Sequence, residues 1–126
     1  MNADPRNPDT DPRPSPTDPR TRAEASDYRE TSTFDDVRAF LDTLVRQKAP
    51  LVLATLAVSA EGRAVPMAVA GRNLPADGAE ARRQGRPVVY LQANIHAGEV
   101  EGKEAVLMLL RDLSRHDPRR LLEKLV

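Results

Sequence analysis

His96, Gly98 and Glu99 fall within residues 92–106, QANIHAGEVEGKEAV, between an apolar run and the start of a helical pattern. A neutral imidazole nitrogen and a carboxylate oxygen both suit Zn²⁺, at about 2.0–2.2 Å. Three residues of spacing across a turn can aim both groups at one point. Gly98 is expected to allow the tight backbone path this needs. A zinc ion held this way lowers the pKa of a bound water and polarises a carbonyl, which is hydrolytic chemistry. The same spacing also describes a plain surface histidine followed by a glutamate that favours a helix start. The pair alone leaves both readings open.

There is no cysteine, so no disulfide and no thiolate ligand is available, and any metal must be held by His, Asp or Glu. Glu101 and Glu104 lie close by and are expected on a solvated helix face. His116 reads as a helix-end cation rather than a ligand.

The elements that position the pair come from periodicity. Residues 88–95, VVYLQANI, read as a strand buried on both faces, which sets His96 at its C-terminal end. Ligands of open α/β sheets gather at such ends. A helix follows Glu99, with Val106, Leu109, Leu110 and Leu113 as its apolar face. Asp117 as N-cap and Pro118 in the first helical position predict a second helix carrying Leu121, Leu122 and Leu125.

Upstream, Val37, Phe40, Leu41, Leu44 and Val45 lie on one face of a helix. Thr33 is its expected N-cap and Pro50 its expected stop. Residues 51–59 and 64–71 predict a hairpin turning at Gly62. Pro66 requires the second strand to be an edge or to bulge. Residues 72–87 read as a polar loop around Asp77-Gly78. The order helix, strand, strand, strand, helix, helix is an α/β pattern with helices covering a sheet.

Residues 1–24 are rich in Pro, Asp and Arg. The first twenty hold six of the eleven prolines and no Val, Ile, Leu or Phe. Such a segment is expected to be a disordered, solvated tail, leaving residues 25–126 as the folded part.

The bulk properties exclude several classes. The 19 basic and 19 acidic residues cancel, which supplies no general attraction to nucleic acid or to an acidic membrane. Two Tyr, two Phe and no Trp offer little for base stacking. No apolar run is long enough to span a bilayer, and no signal-peptide core is visible. The expected compartment is the cytoplasm, with export open if the true start lies elsewhere. The sequence does not fix an oligomeric state.

Three segments, YRETSTFDDVRAFLDTLV, AVSAEGRAVPMAVAG and VVYLQANIHAGEVEGKEAVLMLLRDL, in this order and spacing, resemble the N-terminal part of zinc carboxypeptidases of the M14 family. The resemblance spans residues 28–126. It implies an α/β/α fold around a mixed sheet, incomplete in this chain. It implies that His96 and Glu99 are the first two zinc ligands, and that the cofactor is Zn²⁺. The implied substrate is a peptide or amide beside a free carboxylate.

The family's third ligand, a histidine, and its general base, a glutamate, come later in the chain, so both are expected beyond Val126. On that reading the 126 residues are the front of a longer enzyme, inactive alone, with a split sheet whose strand edges invite aggregation. Glu61, Gly62 and Arg63 match a family hairpin turn and carry no chemistry. Many family members place arginine between the two ligands. Ala97 and Gly98 stand there instead, which puts that substrate contact in doubt. Zinc deacylases of the succinylglutamate desuccinylase and aspartoacylase type share His-x-x-Glu after a strand and are the alternative, as is a non-catalytic fragment.

Overall fold

The computed structural model describes residues 15–117 and 119–126. It is a mixed α/β structure of five helices and one two-stranded antiparallel sheet, compatible with part of a carboxypeptidase-like fold.

Helix α1 is a single turn, Arg22–Ala25. Helix α2, Phe34–Arg46, begins where expected. The Thr33 hydroxyl accepts from the Asp36 N–H, and the Asp36 carboxylate accepts from the Thr33 N–H at 2.8 Å. This reciprocal cap satisfies donors that the helix start leaves unpaired. Its end is set four residues before Pro50, not by Pro50 itself. Lys48 turns left-handed at φ 59°, Lys48 N–H bonds the Val45 carbonyl, and Ala49 N–H bonds the Leu44 carbonyl. That is a Schellman closure.

The hairpin pairs β1, Leu51–Val58, with β2, Ala64–Ala70. The register slips between Thr55 and Ala57, opposite Pro66 and Val65. Pro66 cannot donate to a ladder, and the bulge sits where that gap falls. Gly62 takes φ +77° in the turn, where its N–H bonds the Ser59 carbonyl.

Phe40, Leu41 and Leu44 of α2 form the core with Leu107. Leu51, Leu53 and Ala68 of the hairpin pack against them from one side. The other hairpin face is open, with Val52, Leu56 and Val58 exposed.

Residues 72–87 are more than a loop. They contain α3, Gly78–Arg83, capped by Asp77, whose carboxylate accepts from the Glu80 N–H at 2.7 Å. Gly85 at φ +68° closes it, with Arg86 N–H bonded to the Ala81 carbonyl. Helix α4, Val100–Arg115, starts after Glu99 as expected but buries a different stripe: Glu104, Leu107 and Arg111. Residues 105–110 are almost wholly apolar, so periodicity does not select one face, and polar partners from residues 15–33 decide it. Leu109 is exposed. Helix α5, Leu121–Lys124, starts later than expected, behind Arg120 at φ 54°. Asp117 still caps it from a distance, accepting from the Leu121 and Leu122 N–H groups at 2.6 and 2.8 Å. Pro118 lies outside the described residues.

The third strand, expected over residues 88–95, does not form. Val88, Val89, Tyr90, Leu91 and Ile95 are exposed. A strand needs a hydrogen-bonded neighbour, and this segment meets one only at its start. There Val126 N–H bonds the Pro87 carbonyl and Val89 N–H bonds the Val126 carbonyl. Among the described residues the sheet is the antiparallel pair alone.

The expected tail divides. Residues 1–14 lie outside the described residues. Residues 15–24 are packed rather than free: Thr21 and Ala23 are buried, and Glu24 pairs with Arg111. These contacts are polar and need no large apolar side chain.

Candidate metal centre

His96 sits on a tight turn whose closing bond runs from the Glu99 N–H to the His96 carbonyl at 3.0 Å. The turn brings the two side chains together. His96 Nδ1 lies 3.0 Å from Glu99 Oε1, and the His96 N–H also faces Glu99 Oε2 at 3.4 Å. The pair is open to solvent, with side chains 80% and 53% exposed.

The central residues of that turn are Ala97 and Gly98, and Asn94 braces it from two residues upstream. Asn94 takes the left-handed conformation, at φ 58°, and its amide donates to the His96 carbonyl at 2.8 Å. Asn tolerates that conformation because its short polar side chain bonds the local backbone. Gly98 has no positive φ, and a Cβ built there meets nothing within 4 Å.

The spacing of the pair fits a shared metal. Two ligand atoms each about 2.0–2.1 Å from a tetrahedral zinc stand about 3.3 Å apart. The observed 3.0 Å needs only a small opening, with Nδ1 free of its proton. Among the described residues, no group of three or more His, Cys, Asp or Glu converges on one point.

The neighbouring acids separate. Glu101 is exposed, as expected. Glu104 is not solvated. It is 5% exposed, and its Oε1 accepts from the Ser32 N–H at 2.5 Å and the Thr31 hydroxyl at 2.8 Å. The Ser32 hydroxyl donates to its other oxygen at 3.0 Å. Burial pushes the carboxyl pKa up, but the Ser32 N–H and the Thr31 and Ser32 hydroxyls outweigh it and hold the pKa below the usual range. Glu104 is thus a structural anion turned away from the metal pair. His116 caps the end of α4 by donating its N–H to the Asp112 carbonyl.

The zinc carboxypeptidase family model matches residues 37–125, which include α2 from Val37 onward, the hairpin, His96, Glu99 and α4. The chain belongs to the zinc carboxypeptidase family. No curated protein and no solved structure matches it. Among the described residues, no helix is long and apolar enough to cross a membrane.

Proposed function

We propose that the chain supplies the first part of a zinc carboxypeptidase site, with His96 and Glu99 as two of its metal ligands. The observation that carries this reading is the 3.0 Å approach of Nδ1 to Oε1 at the start of α4, inside the family match. The substrate is a peptide or amide next to a free carboxylate. Bound zinc would polarise the scissile carbonyl and lower the pKa of a water. His96 contributes its Nδ1 lone pair once deprotonated, and Glu99 contributes a carboxylate already placed beside it. Among the described residues no third His, Asp or Glu converges on the pair. Two ligands hold zinc loosely, and a metal-bound water without a base or oxyanion partner loses most of its catalytic advantage. The chain alone therefore binds zinc weakly and turns over little peptide. The same pair would also serve a zinc deacylase, and an assay of acyl-amino acids against peptides, run on the full catalytic chain, separates the two.

The direct test is a zinc titration by equilibrium dialysis on wild type, His96→Ala and Glu99→Gln, with circular dichroism to check the fold. Loss of zinc in both variants supports the reading. Equal zinc uptake by all three removes it.

A further inference from the structure

Residues 15–33 cross α4 and reach the C-terminal end of α2 along a polar seam. Asp18 pairs with Arg115 at 2.8 Å, and the Pro19 carbonyl accepts from Arg111 Nη1 at 3.2 Å. Both oxygens of Glu24 accept from the same Nη1, at 2.9 and 2.7 Å. The Arg111 and Glu24 side chains are 2% and 9% exposed. Further along, Thr31 and Ser32 surround the Glu104 carboxylate, and the Lys103 ammonium donates to the Ser32 carbonyl. Gln47, at the end of α2, donates to the Thr17 carbonyl at 2.9 Å.

Little apolar contact adds to these links. Ala23 is the one hydrophobic residue that is buried within residues 15–33. Between the segment and α2 runs a groove of about 280 Å³, with Pro19, Thr21 and Arg22 on one wall and Ala39, Phe40 and Thr43 on the other. The segment is therefore a separate layer, fastened at charged points and not keyed into the core of Phe40, Leu41, Leu44 and Leu107.

We propose that residues 15–33 are a latch held on α4 by the ionised carboxylates of Glu24 and Glu104, and that protonating these two releases the latch as one unit while the α2–α4 core stays packed. Release opens the groove over Phe40.

The sign follows from which state holds the anions better. In the latched state both carboxyls lie below the usual range. Burial opposes this, but the Arg111 guanidinium and Thr21 N–H outweigh it at Glu24, as Ser32 and Thr31 do at Glu104. Released, both titrate near the ordinary value of about 4.3. The latch is then complete above that value and is lost as pH falls through the lowered latched values. Arg20, Arg22, Lys103, Arg111 and Arg115 are the cations along this seam. Asp18 faces Arg115, and Asp36, also held below the usual range by the Thr33 N–H and hydroxyl, weakens the Thr33 cap when it is protonated. Exposed Glu30 pairs with Arg22. Asp112 accepts from Arg111 Nε at 2.8 Å and so orients the guanidinium whose Nη1 meets Glu24.

The test is a pH titration of the isotopically labelled chain by NMR from pH 7 to 3. It follows the Ala23 and Ser32 amides and the Arg111 Nη–H groups, against the Leu44 and Leu107 amides. The expected result is one shared midpoint below about 4.3 for the first set, with the core signals still native at that pH. Collapse of the core at the same midpoint overturns the proposal, as does a latch unchanged at pH 3. Glu104→Gln at pH 7 gives a second reading. A single latch shifts the Ala23 and Arg111 signals as well as Ser32, whereas changes confined to Thr31 and Ser32 refute the single unit. Should that variant not fold, the wild-type titration decides alone. None of these readouts depends on zinc, so the latch and the metal reading can fail separately.

Discussion

Glu99 and Glu104 stand five residues apart and meet opposite environments. Glu99 is half exposed, touches His96 and caps α4 without a side-chain hydrogen bond. Glu104 is buried and accepts three hydrogen bonds from Thr31 and Ser32. The inner stretch of α4 is thus fully partnered by its own chain, while its first turn offers a carboxylate and an imidazole to solvent. A buried carboxylate holding three hydrogen bonds serves structure, since exchanging its partners would cost the desolvation already offset. An exposed one beside an imidazole is free to bind.

That contrast breaks first at Arg111. Replacing it in Arg111→Met leaves the Glu24 carboxylate buried without its cation. The expected loss is about 3–5 kcal/mol in urea denaturation near neutral pH. A loss under about 1 kcal/mol would mean that the pair is not sealed from water. Next comes Glu104→Ala, which strands the buried Ser32 N–H and hydroxyl. Its expected cost is about 1–3 kcal/mol by the same measurement. The smallest effect belongs to the open end of α4. Glu99→Gln and His96→Ala should each stay within about 0.5 kcal/mol of wild type, because they remove no buried partner. If Glu99→Gln cost as much as Glu104→Ala, the contrast between the two acids would be gone.

What was legible in the sequence divides along the same line. Thr33, Asp36 and the apolar spacing of α2 are local signals, and the helix formed on them. The hairpin followed from Gly62 and two short apolar runs, and Pro66 marked its bulge. Helix α3 was also written locally, with Asp77 as cap and Gly85 as closure, but the turn signal at Asp77-Gly78 masked it. Residues 88–95 have strand composition without a strand, because composition records what a segment can pair with and not whether a neighbour is present. The burial of Glu104 was not readable at all. It depends on a contact with Ser32, 72 residues away in the chain. The three-residue spacing sets His96 and Glu99 at the two ends of a turn through Ala97 and Gly98, with Asn94 bonding the His96 carbonyl from outside it.

The most direct measurement is zinc binding by the chain, compared with His96→Ala, Glu99→Gln and His116→Ala at neutral pH. The expected result is a weak site lost in the first two variants and kept in the third. Zinc uptake that survives both His96→Ala and Glu99→Gln, or that falls only with His116→Ala, would contradict the assignment of the pair.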